Sequence, residues 1–334
     1  MRLLPALASL LLASFPALAD YSSHPRAGAL LETLRDNHGF SSTELSSVSL
    51  ALREAQRLPQ LVEMEQKAPE RTETWTRYAR RVDEDRVNGG VSLLRSQQEI
   101  LDRAEEEFGV PPPVIAAILG IETRYGRLTG NIRVLDALAT QGFEHPTRSP
   151  FFYGELQQFF VFSRDFRLPA QELKGSYAGA MGAAQFMPSN YLRLSLDYDG
   201  DGRRDLWSLP DAIGSIGHYF MRYRPKQAWN RGEPLAVRAR LLRPLPADTE
   251  VNGKATVYNL GALLKAGYLA SEVELPPDTP VGIIQLPLDD GGSEYWLGLH
   301  NFYTVMTYNP RTFYAMAVTQ LAQRIERQLA AEAR

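Results

Sequence analysis

Val110-Pro111-Pro112-Pro113-Val114-Ile115-Ala116-Ala117-Ile118-Leu119-Gly120-Ile121-Glu122-Thr123-Arg124-Tyr125-Gly126 is the stretch on which the fold and the chemistry of this chain turn. The proline run marks a helix start, since proline is tolerated in a first turn but not in a helix interior. Ile115, Ile118, Leu119 and Glu122 then follow the spacing i, i+3, i+4, i+7, which places a carboxylate on the face that the isoleucines bury. Desolvation there disfavours the ionised form, so Glu122 is expected to keep its proton to a higher pH than an ordinary glutamate, as a general acid requires. The helix is expected to stop at once, with Gly126 as a left-handed C-cap, so that the carboxylate sits near a helix end where a cleft opens. The alternative is a glutamate turned to the rim and paired with Arg124 or Arg127.

Composition bounds what the rest of the chain does. A chain of 334 residues with 44% hydrophobic content buries a substantial core and accommodates one large domain or two to three smaller ones. Its first 19 residues differ: Arg2 is the only charge, a Leu/Ala-rich run follows, and Ala17-Leu18-Ala19 offers a small-residue cleavage site before Asp20. This is the pattern of a secretory signal peptide. No segment approaches the roughly 18 uninterrupted apolar residues that a membrane span needs, so the mature protein is read as soluble and without a membrane anchor. Removing Arg2 takes the formal charge from −3 to −4, which argues against a nucleic-acid partner.

There is no cysteine, which excludes disulfides, thiolate zinc sites, cysteine nucleophiles and a lipid-modified cysteine. The five histidines are His24, His38, His145, His218 and His300, and none is spaced for metal binding. No G-x-S-x-G elbow is present, so serine-nucleophile chemistry is not expected.

Residues 25–105 carry helical apolar spacing, including Leu30, Leu31, Leu34, Leu93, Leu94, Ile100 and Leu101, and read as an N-terminal helical layer. From Gly109 to about Arg224 the helices are shorter and richer in Gly and aromatic residues. Residues 231–300 shift to Pro-bounded β-like runs, Ala236–Leu242 and Val281–Leu288, around a helical stretch from Tyr258 to Ala266. The tail from Thr312 to Ala331 returns to helical period through Met316, Leu321, Ile325 and Leu329.

Asp197-Tyr198-Asp199-Gly200-Asp201-Gly202-Arg203-Arg204-Asp205 places oxygen ligands at loop positions 1, 3 and 5 with glycine at 6, as a Ca²⁺ ion needs. Position 12 is Ser208, which cannot supply the usual bidentate glutamate, and Asp211 at position 15 is the expected substitute. Asp197, Asp199 and Asp201 are therefore assigned as side-chain ligands, Arg203 through its carbonyl, and Asp211 as the closing residue of a structural site. The alternative is an Asp/Gly-rich surface turn. A third segment, Gly175 to Ser189, is dense in small residues that let backbone approach a ligand or a neighbouring helix closely. Ser176, Tyr177 and Gln185 supply polar groups suited to an uncharged, hydroxyl- and amide-bearing ligand. Tyr78, Phe186, Tyr219, Tyr308 and Tyr314 offer flat faces for sugar rings, although any one tyrosine taken alone reads as core.

These separated motifs occur together. Val110-Pro111-Pro112 with Gly120 to Gly126, Leu135-Asp136-Ala137-Leu138-Ala139-Thr140, Gly175 to Tyr191, the Asp197 to Trp207 loop, Asp211 to Ser215 and Asn301-Phe302-Tyr303 resemble the lytic murein transglycosylase B family. The resemblance implies a mainly α (α+β) fold with a lysozyme-like core. The expected organisation is a signal peptide (1–19), an N-terminal helical domain (20–105), a core with one EF-hand-like loop (106–230), a small α/β insertion (231–300) and a C-terminal segment packing back on the core (301–334). It implies non-hydrolytic cleavage of the MurNAc–GlcNAc bond of peptidoglycan glycan strands in the periplasm, with other cell-wall enzymes as candidate partners. Glu122 is then the acid/base, and Ser176, Gln185, Tyr219, Tyr308, Asn309, Tyr314, Arg148 and Tyr78 are substrate contacts. Ordinary glycosidases need two carboxylates. Here the C6 hydroxyl of muramic acid would replace the attacking water, while Asp136 and Asp165 are the conceivable partners for a hydrolytic muramidase. A Ca²⁺-dependent peptidoglycan-binding protein without catalysis is the remaining alternative.

Overall fold

The computed structural model describes residues 20–66 and 72–332, so the proposed signal peptide at 1–19 lies outside the described residues. The Pro112–Thr123 helix is the axis of the molecule, with Pro111 as its N-cap. Val114 through Gly120 are all buried, as is Thr123. The helix is therefore apolar all round, and the expected one-sided stripe is not what places Glu122, which is half-buried beside the fully buried turn before it. A helix enclosed on every side has no polar face, so periodicity cannot choose one. The helices Glu84–Ser96, Gln98–Phe108, Leu209–Arg222 and Thr312–Glu332 pack around it. Each fully buried Ile or Leu there stabilises the fold by about 1.5–3 kcal/mol relative to exposure.

A second group of helices stands beside this bundle. Val134–Glu144 and Ser149–Asp165 pack on each other, and Ala27–His38 and Ser42–Glu54 cover them. One continuous apolar core runs from Tyr21 to Ile325, so the N-terminal helices share the core of the central region, with no separate core of their own. Leu30, Leu34, Leu93 and Leu101 face it, and so do Met316, Leu321 and Ile325 of the C-terminal helix, as their spacing predicts. A two-residue antiparallel ribbon, β1 (Ile132–Arg133) and β2 (Lys174–Gly175), closes the chain around the Val134–Asp165 helix pair.

The Pro-bounded region forms a five-stranded antiparallel sheet in the order β4 (Tyr258–Asn259), β6 (Pro280–Pro287), β7 (Ser293–Gly298), β3 (Ala236–Leu241), β5 (Leu269–Ser271). The helix Leu260–Ala266 crosses between β4 and β5. Along β6, Ile283 belongs to a small core with Val237, Leu260, Leu269 and Leu297, whereas Ile284 and Leu286 join the main core. Period-2 alternation thus gives this insertion one face of its own and one that fastens it to the bundle.

Candidate active site

The central helix ends on Glu122-Thr123, and the chain then enters the left-handed region three times: Arg124 (φ 49°), Tyr125 (φ 63°) and Gly126 (φ 81°). The C-cap is Arg124, not the glycine that composition favours. Two non-glycine residues in this region cost on the order of 1 kcal/mol each, so tertiary contacts must hold them. Arg124 pairs with Asp85 at 2.8 Å and Asp83 at 3.4 Å, and Arg127 with Asp85. Those partners remove both arginines from the rim pairing with Glu122 that the sequence left open. The Tyr125 hydroxyl donates to the Arg86 carbonyl, and Thr123 Oγ1 accepts from Gly126 N at 2.9 Å while donating to the Ala183 carbonyl at 2.8 Å.

Glu122 opens on a cleft of about 1430 Å³. The Tyr314 hydroxyl donates to Glu122 Oε1 at 2.6 Å from the C-terminal helix. Burial pushes the phenols of Tyr314 and Tyr308 well above their ordinary value, and the Glu122 charge adds to both shifts, so both stay protonated donors. Seven of the nine residues assigned from sequence as catalytic or substrate-binding line this cleft: Glu122, Arg148, Ser176, Gln185, Tyr219, Tyr308 and Asn309. Tyr314 is buried behind the carboxylate and does not line the cleft. Tyr78 lies close enough to Tyr314 for its phenol to add to the rise of the Tyr314 phenol. It is 2% exposed, packed by Trp75, Phe313 and the Arg81 guanidinium, and is not part of the cleft wall. Phe186 and Tyr219 are buried and pack on each other and on Tyr308 at tilted angles. Phe151, an exposed ring, and Tyr223, stacked on Tyr219 at 4.5 Å, are the aromatic walls that sequence missed.

The small-residue segment is an irregular loop with no helix until Pro188. Ser176 N donates to the Ala180 carbonyl, and Ser176 Oγ accepts from Ala180 N at 3.1 Å. A Cβ at Gly175 would run into that same carbonyl, which is why a glycine precedes Ser176. Gln185 is held left-handed (φ 51°), with its amide nitrogen donating to the Thr129 and Gly182 carbonyls at 3.0 and 2.9 Å. Ligand contact at Gln185 therefore falls to its carbonyl oxygen.

Neither acid considered for a hydrolytic route reaches the cleft. Asp136 is buried in a bidentate pair with Arg133, and Asp165 pairs with Arg164. The second carboxylate in the cleft wall is Glu155, which accepts from Ser189 Oγ at 2.6 Å and Ser189 N at 2.9 Å. Burial raises its carboxyl above the usual range, against the pull of the Ser189 bonds. The signal for it was present: Phe152, Glu155, Leu156 and Phe159 follow the spacing that singled out Glu122, and all four are buried.

In the acidic loop, Gly200 and Gly202 take positive φ, and one oxygen each of Asp197, Asp199 and Asp211 lie within 4.8 Å of one another. Asp201 lies outside that cluster, and its Oδ1 accepts from Arg203 N at 2.8 Å as Asp199 Oδ1 does from Asp201 N. Asp211 is buried at the first turn of the Leu209–Arg222 helix and accepts from Tyr198 N and Asp205 N. Burial raises its carboxyl despite those bonds. Among the described residues no Lys or Arg pairs with these three acids, and a hard divalent cation fits the set.

The family model described as transglycosylase SLT domain matches residues 24–323. The membrane-bound lytic murein transglycosylase B of Escherichia coli (strain K12) is 39% identical over 322 residues, covering 92% of this chain and 84% of that protein. The Escherichia coli lytic transglycosylase Slt35 in complex with calcium superposes with a TM-score of 0.80 at 38% identity, covering 92% of this chain and 94% of the other. The catenated lytic transglycosylase SltB1 of Pseudomonas aeruginosa gives 0.82 at 35% identity, covering 92% and 99%. These matches agree with the mainly α fold and lysozyme-like core expected above.

Proposed function

The chain belongs to the transglycosylase SLT domain family, and from that premise we propose that it is a lytic murein transglycosylase cleaving the MurNAc–GlcNAc bond of peptidoglycan without water. The observation that carries the reading is Glu122, at the exit of a buried helix onto the cleft, with its carboxyl oriented by the Tyr314 hydroxyl. Glu122 gives its proton to the glycosidic oxygen as the C1–O bond breaks. As carboxylate it then takes the proton of the muramoyl C6 hydroxyl, whose oxygen bonds to C1 and closes a 1,6-anhydro ring. An internal hydroxyl has a far higher effective concentration than water, so no second carboxylate is required. Phe151, Tyr223 and Tyr308 wall the strand, and Ser176 orients the N-acetyl group.

Glu155 gives the hydrolytic muramidase reading its one specific support, because it supplies a second acid in the same cleft. Product mass separates the two. Mass spectrometry of fragments released from purified sacculi is expected to show anhydromuropeptides with wild type and none with Glu122→Gln. Products heavier by one water would make the protein a muramidase.

The acidic loop is read as a structural Ca²⁺ site, with Asp197, Asp199 and Asp211 as side-chain ligands and Arg203 through its carbonyl. The ion neutralises three carboxylates that otherwise repel and ties the loop to the Leu209–Arg222 helix. Residues 1–19 are read as the signal for export to the periplasm, where the substrate lies. Among the described residues no helix is long and apolar enough to cross a membrane.

A further inference from the structure

The cleft wall is cationic in a chain that is not. Among the described residues, Arg148, Arg193, Arg224, Lys254 and Arg311 line it against Glu122 and Glu155, whereas the whole chain carries 36 Lys and Arg against 39 Asp and Glu. A glycan backbone of acetamido and hydroxyl groups, its lactyl carboxyls tied up as amides to the stem peptide, offers these cations no negative charge. We propose that Arg224, Lys254 and Arg311 form a carboxylate-binding corner that reads the acidic stem peptide carried on the muramoyl residue; the proposal rests on the peptidoglycan reading of the cleft.

The three cations come from separate elements, two of which are fastened to Tyr303. Arg224 follows the Leu209–Arg222 helix, and Gln227 in the next turn donates its side-chain amide to the Tyr303 carbonyl at 2.9 Å. Arg311 lies in the turn after Tyr308, closed by its own N–H on the Asn309 carbonyl at 2.7 Å. Lys254 is contributed by the β-sheet insertion, in the loop between Val251 and Tyr258. That loop is pinned on both sides of the lysine. Val251 bridges Ile283, the Asn252 side chain exchanges two bonds with the Gln285 backbone, and Val257 N donates to the Val281 carbonyl. Tyr303 packs directly against Gly282, where any Cβ would collide with its hydroxyl, and the Ala255 carbonyl closes on the same spot. The fold thus spends a rigid loop on holding a lysine over the cleft.

Among the described residues none of the three makes an ion pair with a carboxylate. Arg224 and Lys254 are exposed and Arg311 is half-buried, so each keeps its charge toward solvent or ligand. Partly exposed cations contribute individually little, and several acting on one flexible acidic peptide add up. The insertion acquires a role by this account: it supplies one side of the specificity site for a bundle that holds the chemistry.

The test compares intact glycan strands with strands whose stem peptides have been removed by an amidase and whose freed lactyl carboxyls have been converted to the neutral amide, using wild type and the Arg224→Gln/Lys254→Met/Arg311→Gln variant. Wild type is expected to show kcat/KM roughly tenfold higher on peptide-bearing strands, with the ratio falling as salt is raised. The triple variant is expected to bring that ratio close to one, with the change in KM. Equal kcat/KM of wild type on both substrates, or an unchanged ratio in the variant, would overturn the proposal. Cosedimentation of the Glu122→Gln protein, with and without the triple substitution, on the two substrates reads the same preference without turnover. Anhydro products from stripped strands report separately on the lytic reaction, so loss of peptide preference and failure of the transglycosylase reading are distinguishable.

Discussion

Tyr314→Phe isolates the contact that orients the acid. The substitution keeps the buried ring and removes only the hydroxyl that donates to Glu122 Oε1 at 2.6 Å. A hydrogen bond to a charged group contributes about 1.5–3 kcal/mol, and its loss in a cleft wall is not replaced by bulk water, so kcat should fall about 10- to 100-fold. KM should move little, because Tyr314 does not line the cleft. The assay is release of anhydromuropeptides from sacculi, followed by mass, with circular dichroism to establish that the variant is folded. A double-mutant cycle sharpens it. Glu122→Gln alone removes the proton donor and should cost about 10²- to 10⁴-fold. In that background Tyr314→Phe should add less than about threefold, since the group it orients is already disabled. A kcat within twofold of wild type, or an equal loss in both backgrounds, would refute the positioning role.

The remaining expectations are independent of one another. Chelation should lower the melting midpoint by the linkage of ion binding to folding, about 2.7 kcal/mol at a hundredfold excess of ion over Kd, and Asp211→Ala should abolish the response; an unchanged midpoint in chelator would remove the ion site. Ser176→Ala should weaken turnover on glycan strands without altering the melting midpoint by more than a few degrees, and full turnover with unchanged affinity would end its role with the N-acetyl group. Gly175→Ala forces a Cβ onto the Ala180 carbonyl and should destabilise by about 1–3 kcal/mol, measured by urea unfolding. Burial opposes the ionisation of Glu144, but hydrogen bonds from Arg57 and Tyr21 outweigh it and hold its carboxyl below its ordinary value of 4.5. Its contribution is therefore full above pH 4.5 and is lost as pH falls through the lowered value. Acid titration of stability should accordingly show wild type and Glu144→Gln differing at pH 6 and converging below the carboxylate range.

Reading Glu122 from its spacing led to a carboxylate that does open on the cleft, but the spacing is not what puts it there. The helix around it is buried on all sides, and the carboxylate is half-buried because the helix ends there, in a turn that Asp83, Asp85 and Arg86 hold in a strained conformation. The same spacing rule applied to Phe152, Glu155, Leu156 and Phe159 would have found the other acid of the cleft. Aromatic residues were the weakest signal. A tyrosine buried in the core and one facing sugar have the same composition, so sequence alone does not tell that Tyr78 packs on Trp75 and Phe313 while Tyr223 lines the cleft.

What the sequence determined by itself is local: the helix starts at Pro112 and Thr312, the strand segments around Ala236 and Val281, the acidic loop with its glycines, and the grouping of Ser176 with Gln185 in one small-residue segment. These follow from proline geometry, side-chain periodicity and carboxylate spacing, all of which act within a few residues. Tertiary structure alone decided that Tyr314 reaches Glu122 across 192 positions, that Glu155 shares the cleft wall with Glu122, and that a lysine of the β insertion overhangs the cleft. Those outcomes depend on which buried surfaces find each other, and no short-range pattern encodes the direction in which a packed element turns its side chains.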